Sequence, residues 1–193
     1  MGDVNQLTYL KRTVPAVDGP ILEIGSKDYG STSSFRDFYA GQPYVGLDME
    51  AGKNVDVVVD LTSGVGELQR GHFALAICCS VLEHVRRPWD FAENLASLMR
   101  PGGLVYMSVP WVWRYHAYPD DYFRFSWRGV MELFRGFEWR DICYSTNVPN
   151  EFIDIPLDNP GVDNAMAAHA QTPAGPRKYL PYLMVNMLGR KGE

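Results

Sequence analysis

Cysteine is scarce in this chain, with only Cys78, Cys79 and Cys143 among 193 residues. Three cysteines cannot form an even disulfide framework, and their spacing matches no metal-binding pattern. Two of them stand in the apolar run FALAICCSVL, where buried thiols behave as small hydrophobic groups. The sequence therefore predicts neither a disulfide scaffold nor a metal centre.

Long hydrophobic runs are also missing. No apolar run approaches the roughly 20 residues that a membrane-spanning helix needs. The first stretch, MGDVNQLTYLKRTV, lacks the apolar segment of a signal peptide, and Gln6 stands where a myristoylation motif has Ser or Thr. We therefore expect a cytoplasmic protein that does not associate with membranes.

The chain contains no block of lysine or arginine, and its formal net charge is −5. An acidic surface gives no electrostatic reason to expect nucleic acid or anionic lipid as a partner. A small-molecule partner is the better expectation, and a homodimer is compatible with the sequence.

What the chain does have is an alternation of compact apolar runs and helical patterns. We predict strands at 20–25, 44–49, 55–60, 73–80, 104–110, 137–144 and 183–189, and helices at 5–13, 33–40, 88–100 and 126–135. The strands are nearly continuous hydrophobic runs, which indicates an α/β fold with a mostly parallel sheet covered by helices on both faces.

The predicted organisation is one domain over 1–193, interrupted by a long segment at about 146–178 that is rich in Pro, Asn, Gly and Ala. A connection of this length is usually a lid, a binding loop or disordered. The stretch DNAMAAHA at 163–170 is compatible with one or two helical turns.

Polar residues follow the first three predicted strands. Gly25 ends the first strand, Asp48 ends the second, and Asp60 with Leu61 follows the third. In an open parallel sheet these tips meet at the ligand-binding edge. A glycine turn, an acid for a ribose diol and an acid for an adenine amino group together indicate an adenosine site. The pattern for NAD is incomplete, because Lys27 takes the place of the second glycine of GxGxxG.

These residues stand in stretches that resemble the class I S-adenosylmethionine-dependent methyltransferases, with the small type-11 group as the closest branch. The resemblance covers roughly residues 18–144. Its most specific parts are SVLEHV after the fourth strand and LMRPGGLVYMSVP around the fifth. It implies a Rossmann-like seven-stranded sheet in the order 3-2-1-4-5-7-6 with the last strand antiparallel. The sequence departs from the family at Gly25-Ser26-Lys27, where a GxG is usual.

Carried over by position, the resemblance implies S-adenosyl-L-methionine as the cofactor and a set of residues that bind it. Glu23 and Gly25 would shape the methionine end, Asp48 would bind the ribose and Asp60 the adenine edge. The full set is Glu23, Gly25, Ser26, Asp48, Met49, Asp60, Leu61 and Ser80. His84 either faces the substrate or caps a turn, and Glu83 is interpreted as a structural acid that pairs with backbone amides or Arg86.

The segment WRYHAYPDDYFRFSW, residues 113–127, directly follows the fifth predicted strand. Its rings suit a water-excluding wall around a methyl acceptor. His116 is the first candidate for a general base, and Asp120 or Asp121 for the group that orients it. The candidate catalytic residues are His116, Asp121 and His84, and the candidate substrate-binding residues are Trp111, Tyr118, Tyr122 and Arg124. Two alternatives stay open: the rings pack in the core, and Asp121 and Arg124 form a structural pair.

The main hypothesis is a methyltransferase that acts on a hydroxyl or amine of a small molecule. The alternative is a catalytically weak or inactive cofactor-binding module that acts as a partner subunit. A nucleic-acid or protein methyltransferase is disfavoured by the net charge and by the lack of a recognition domain.

Overall fold

The computed structural model describes residues 2–30, 34–117, 119–155, 171–172, 175–176 and 182–193. The helices are α1 (Gly2–Thr13), α2 (Phe35–Phe38), α3 (Pro88–Leu98) and α4 (Trp127–Leu133), and a 3-10 turn spans Leu82–His84. The strands are β1 (Ile21–Ile24), β2 (Tyr44–Asp48), β3 (Val57–Val58), β4 (Phe73–Cys79), β5 (Met99–Val112), β6 (Phe137–Ser145), β7 (Phe152–Asp154), β8 (Gln171–Thr172), β9 (Gly175–Pro176) and β10 (Leu183–Lys191).

Eight of these strands form one sheet in the order β3-β2-β1-β4-β5-β10-β6-β7. The strands from β1 to β5 are parallel, and β10 lies antiparallel between β5 and β6. The predicted α/β fold and the order 3-2-1-4-5-7-6 with an antiparallel last strand are confirmed, with β10 as the seventh strand. The sheet differs by one added edge strand, β7, which pairs antiparallel with β6.

The core lies on both faces of the sheet. The central strand β4 is buried from Phe73 to Cys78, as its continuous hydrophobic run predicts. Helix α3 presents Phe91, Leu95 and Leu98 to the larger cluster on one face. On the other face α1 packs Tyr9 against Tyr106 of β5, with ring centroids 4.7 Å apart.

Local sequence signals explain where two of the helices begin. Pro88 occupies the first turn of α3, where its missing N–H costs no helical hydrogen bond. Ser126 caps α4, because its side-chain oxygen accepts a hydrogen bond from the Gly129 N–H at 3.1 Å. The aromatic segment therefore ends at a fixed helix start.

Two strands differ from the predicted length by more than two residues. β3 covers only Val57–Val58 of the predicted 55–60, because it lies at the sheet edge and pairs with β2 through these two residues alone. β5 begins at Met99 rather than 104, because Met99 already pairs with Phe73 of β4. The register then shifts before Leu104 pairs with Leu75, and Gly102 in between has φ +69°. The helix ends at Leu98, two residues before the predicted end at residue 100, because Met99 already belongs to β5.

The predicted lid at 146–178 contains β7 and the short β8–β9 hairpin. Residues 163–170, with their predicted helical turn, lie outside the described residues, so the single domain with a lid stays a prediction. Among the helices of the described segments, none has the length and apolar character needed to cross a membrane.

Candidate active site

The glycine turn after β1 bends the chain toward the tip of β2. The N–H groups of Gly25 and Ser26 both donate to the carbonyl of Leu47, at 2.8 and 3.0 Å. Gly25 has φ +74°, and a Cβ there would lie 2.5 Å from Val81 Cγ2. This position therefore requires glycine for its backbone conformation and for its contact with the loop after β4.

Asp48 is buried at the tip of β2, with 8% of its surface exposed. Its Oδ2 accepts a hydrogen bond from the Lys27 N–H at 3.2 Å, and its Oδ1 accepts one from the Glu50 N–H at 3.1 Å. A carboxylate has about four lone-pair sites, so two remain for a ligand. The neighbouring Met49 is 55% exposed and offers an apolar surface beside them.

Lys27, which replaces the usual second glycine, has a defined partner. Its ammonium forms an ion pair with Glu50 Oε2 at 2.7 Å and lies 5.1 Å from the centre of the Tyr29 ring. This pairing raises the pKa of Lys27 and lowers that of Glu50, so both stay charged near neutral pH. The lysine side chain is thus held beside the loop that follows β2.

Asp60 and Leu61 follow β3 but face different ways. The carboxylate of Asp60 is exposed and accepts hydrogen bonds from the N–H and the hydroxyl of Thr62, at 2.8 and 2.9 Å. The Leu61 side chain is 2% exposed and belongs to the hydrophobic core, while its carbonyl accepts from Asn94 Nδ2 at 2.9 Å. A ligand at this edge would therefore meet the backbone of Leu61 rather than its side chain.

Glu23 lies mostly buried on β1. Its Oε2 accepts a hydrogen bond from the Tyr44 hydroxyl at 2.8 Å. Burial raises the pKa of Glu23 from 4.5 to about 7, and the Tyr44 hydrogen bond only partly opposes this rise. The acid is therefore a half-titrated group at neutral pH.

Ser80 occupies the tip of β4 in a left-handed backbone conformation, with φ +55°. Its hydroxyl accepts a hydrogen bond from Gln6 Nε2 at 3.0 Å, and its N–H donates to the carbonyl of Ser108 at 2.8 Å. Gln6 also reaches the Ser108 hydroxyl, at 3.2 Å. Sequence reasoning missed Gln6, which brings helix α1 to the binding edge, because nothing in the first helix marked it as polar and buried.

On the acceptor side, the loop after β5 is fixed against the 3-10 turn after β4. The carbonyl of Glu83 accepts hydrogen bonds from the N–H groups of Tyr122 and Phe123, at 2.8 and 3.2 Å. The two loops follow neighbouring parallel strands, so their side chains converge at one edge of the sheet. This convergence brings His84 and His116 together, with ring centroids 4.9 Å apart.

Each histidine has its Nδ1 beside a group that only accepts hydrogen bonds. His84 Nδ1 lies 2.6 Å from the carbonyl of Asp120. His116 Nδ1 lies 3.2 Å from its hydrogen-bond partner, the carbonyl of Arg114, and also 3.2 Å from Asp121 Oδ2, which accepts a hydrogen bond from the His116 backbone N–H at 2.8 Å. Both rings therefore carry the proton on Nδ1 when neutral, which leaves Nε2 as the free lone pair.

Asp121 is held by Arg124. The guanidinium bonds both carboxylate oxygens, with Nη2 to Oδ2 at 2.8 Å, and the Asp121 side chain is only 1% exposed. These hydrogen bonds hold the pKa of Asp121 well below its usual range. The structural pair foreseen as an alternative is thus present, and the same carboxylate also orients His116.

Glu83 is a functional candidate to which sequence reasoning gave only a structural role. Its side chain is 1% exposed, and burial raises its pKa to about 8. Its Oε1 faces both histidines, 3.7 Å from His84 Nε2 and 3.8 Å from His116 Nε2. The sequence does contain a signal for this arrangement. Glu83 and His84 follow β4, and His116 follows the neighbouring parallel strand β5.

The aromatic segment divides between the core and the surface. Trp111 and Phe125 pack against the larger core cluster, whereas Trp113, Tyr115 and Tyr122 are 37%, 67% and 43% exposed. Tyr118 lies outside the described residues. Core packing is therefore observed for part of the segment, and contact of the exposed rings with an acceptor stays a prediction.

Comparison with known proteins gives a consistent result. A family model described as a methyltransferase domain matches residues 7–148. An uncharacterized methyltransferase of Mycolicibacterium gilvum (strain PYR-GCK) is 29% identical over 103 residues, which cover 48% of this chain and 39% of that relative. The matched part thus spans well under half of the relative's length.

Solved structures share the fold at low sequence identity. The Burkholderia thailandensis 1,6-didemethyltoxoflavin-N1-methyltransferase, with 1,6-didemethyltoxoflavin and S-adenosylhomocysteine bound, has a TM-score of 0.61 at 15% identity, covering 97% of this chain and 76% of that one. A SAM-dependent methyltransferase from Archaeoglobus fulgidus has a TM-score of 0.60 at 14% identity, covering 96% and 94% of the two chains.

Proposed function

Since the chain belongs to the methyltransferase-domain family, we propose that it transfers a methyl group from S-adenosylmethionine to a hydroxyl or amine of a small molecule. The membership confirms the resemblance to the class I S-adenosylmethionine-dependent methyltransferases. The single observation that carries the acceptor assignment is the His116–Asp121 pair, which lies beside the strand tips proposed to bind the cofactor.

The cofactor would lie along the tips of β1 to β4. The two free lone-pair sites of Asp48 would accept hydrogen bonds from the ribose diol, and the exposed carboxylate of Asp60 would accept one from the adenine amino group. Ser26 Oγ is buried and makes no hydrogen bond within the described residues, so it has a free donor for the bound cofactor. Ser80 would line the side from which the methyl group leaves.

His116 would act as the general base for the acceptor. The Arg114 carbonyl and Asp121 Oδ2 are both acceptors beside Nδ1 and favour the proton there, so Nε2 would be available to take the proton from the acceptor. The acceptor oxygen or nitrogen attacks the methyl carbon, the carbon–sulfur bond breaks, and its electron pair stays on sulfur to give neutral S-adenosylhomocysteine. Correct alignment alone can supply roughly 7–11 kcal/mol of the barrier reduction.

The acidic net charge of −5 supports a small acceptor over a polyanion. The Burkholderia thailandensis relative, whose name describes an N-methyltransferase of a small molecule, supports the same class. The exposed rings of Trp113 and Tyr122 give this acceptor an apolar, stacking surface.

Calorimetry with S-adenosylmethionine and S-adenosylhomocysteine tests the cofactor site. We expect Asp48→Ala to weaken binding about 10- to 100-fold, because hydrogen bonds to a charged group contribute roughly 1.5–3 kcal/mol. Asp90→Ala on α3 is the control and should bind like the wild type. Unchanged affinity in Asp48→Ala would remove Asp48 from the site.

Formation of S-adenosylhomocysteine with a panel of hydroxyl and amine acceptors tests the reaction. We expect turnover with one acceptor class and a loss of about 100-fold or more in His116→Ala, while His72→Ala, at an exposed histidine, keeps full turnover. Cofactor binding without product across the panel would support the inactive partner module instead.

A further inference from the structure

Three potential metal ligands converge at the tips of β4 and β5. The side chains of Glu83, His84 and His116 each place one ligand atom within 4.8 Å of the others. The two imidazole Nε2 atoms lie 3.7 and 3.8 Å from Glu83 Oε1, which is longer than a hydrogen bond. The three groups therefore face one another across a gap.

The gap has nearly the size that an ion needs. Metal–ligand bonds of about 2.0–2.2 Å place the ligand atoms of a tetrahedral or trigonal site roughly 3.3–3.6 Å apart. The two distances from Glu83 Oε1 to the imidazoles exceed this by only a few tenths of an ångström, and the ligand atoms of all three residues lie within 4.8 Å of one another. A small side-chain adjustment would thus close the site around an ion.

The surroundings of the two histidines match those of metal-bound imidazoles. A ligating histidine usually donates its second ring N–H to a carboxylate or a backbone carbonyl. Here His116 Nδ1 faces Asp121 Oδ2 at 3.2 Å, and His84 Nδ1 faces the carbonyl of Asp120 at 2.6 Å. Both Nε2 lone pairs are thereby directed at the gap, and Arg124 holds Asp121 in place.

Glu83 supplies an independent indication. Its side chain is 1% exposed, and its Oε2 makes no hydrogen bond within the described part of the chain. A buried carboxylate oxygen without a partner is costly, and a cation bound by both carboxylate oxygens of Glu83 would give Oε2 its missing partner. The His84 and His116 side chains are 12% and 24% exposed, so an ion can reach the gap from solvent.

We propose that Glu83, His84 and His116 bind one divalent first-row transition-metal ion, with Zn²⁺ the best match. Two imidazoles and one carboxylate are a known catalytic zinc set, and such sites keep at least one coordination position open.

The role of this ion in the reaction rests on the proposed methyl transfer. The ion would bind the acceptor hydroxyl oxygen and lower its pKa, as zinc lowers that of bound water from 15.7 to about 7. The hydroxyl proton would pass to water, and the metal-bound oxygen would attack the methyl carbon as the carbon–sulfur bond breaks. His116 would then be a ligand and not the base.

Metal binding can be measured without cofactor or acceptor. Protein stripped with a chelator is titrated with ZnCl₂ by calorimetry, and CoCl₂ is used as a visible-absorption probe of the coordination. We expect one ion per chain, and at least 10-fold weaker binding in His84→Ala, His116→Ala and the nearly isosteric Glu83→Gln. His72→Ala is the matched control and should bind like the wild type.

Two outcomes would overturn the proposal: no stoichiometric binding to the wild type, or His116→Ala and Glu83→Gln binding as tightly as His72→Ala. Circular dichroism of each variant ensures that lost binding is not lost folding. The two proposals fail separately. Full methyl transfer in the presence of chelator overturns the metal site alone, whereas ion binding without transfer to any acceptor leaves the site and removes the function.

Discussion

Replacing Glu23 with glutamine tests whether this buried acid limits stability near neutral pH. Glu23 lies on β1 between β2 and β4, and burial raises its pKa from 4.5 to about 7. Glutamine keeps the shape and an oxygen that can accept the Tyr44 hydrogen bond. The substitution therefore removes the titration and little else.

Proton linkage determines the direction in which the free energy of unfolding changes with pH. Below pH 4.5 the acid is protonated in the folded and the unfolded chain, so it has no effect on the pH dependence. Between pH 4.5 and 7 the unfolded chain loses the proton first, so the wild type loses stability as the pH rises. The raised pKa of Glu23 corresponds to an upper limit of about 3 kcal/mol, at 1.36 kcal/mol per pH unit.

Urea unfolding of both proteins at intervals from pH 5 to pH 9 measures this effect. The free energy of unfolding of Glu23→Gln minus that of the wild type should rise by about 2–3 kcal/mol from pH 5 to pH 9 and level off above pH 8. Glu132→Gln, at an exposed position, should leave the pH dependence unchanged. A Glu23→Gln difference that is flat over this range, or that falls, refutes the assignment of a buried, raised-pKa acid.

Three further substitutions probe the frame of the site. Gly25→Ala should destabilise the fold by about 2 kcal/mol or more, because the new Cβ would lie 2.5 Å from Val81 Cγ2 at a residue with φ +74°. Gly30→Ala, with φ +94° in open space, should cost only about 1–2 kcal/mol. Equal shifts of the melting temperature in the two variants would contradict this reasoning. Asp121→Asn should lower the free energy of unfolding by about 2–3 kcal/mol, since it leaves a partly buried guanidinium without its carboxylate, and an unchanged urea midpoint would count against the pair. Asn5→Ala removes three hydrogen bonds that tie α1 to residues 146–150, so limited proteolysis there should speed up while cleavage elsewhere stays the same.

Much of the fold can be predicted from the sequence, because a strand that is buried on both faces of a sheet has a continuous run of apolar residues. The run at Phe73–Cys79 is apolar throughout, which is the composition that a central strand of a covered parallel sheet requires. The strand β7 was missed for the opposite reason. Its three residues lie at the edge, in a stretch rich in Asn and Pro, and pairing with β6 rather than local preference defines them.

The site was predictable to the extent that it consists of strand tips. Gly25 and Asp48 could be placed at one edge because parallel strands carry their ends to the same side of the sheet. The order of the strands indicates that Glu83 and His116 lie at the same edge, but the distance between them could not be derived, because it depends on how the loop after β5 folds back. The hydrogen bonds from Tyr122 and Phe123 to the Glu83 carbonyl set that geometry, and they leave no periodic pattern in the sequence.

The lysine in the glycine turn shows how a departure from a family pattern can be accommodated within one loop. Lys27 keeps the backbone role of the position, because its N–H still bonds Asp48. Its side chain needs space, and Gly52 provides it: a Cβ at residue 52 would lie 2.9 Å from Lys27 Cγ. The ion pair with Glu50 then fixes the ammonium at the far end. Gly52 thus leaves the space that the Lys27 side chain needs. Asp48 keeps both of its backbone donors, the N–H groups of Lys27 and Glu50.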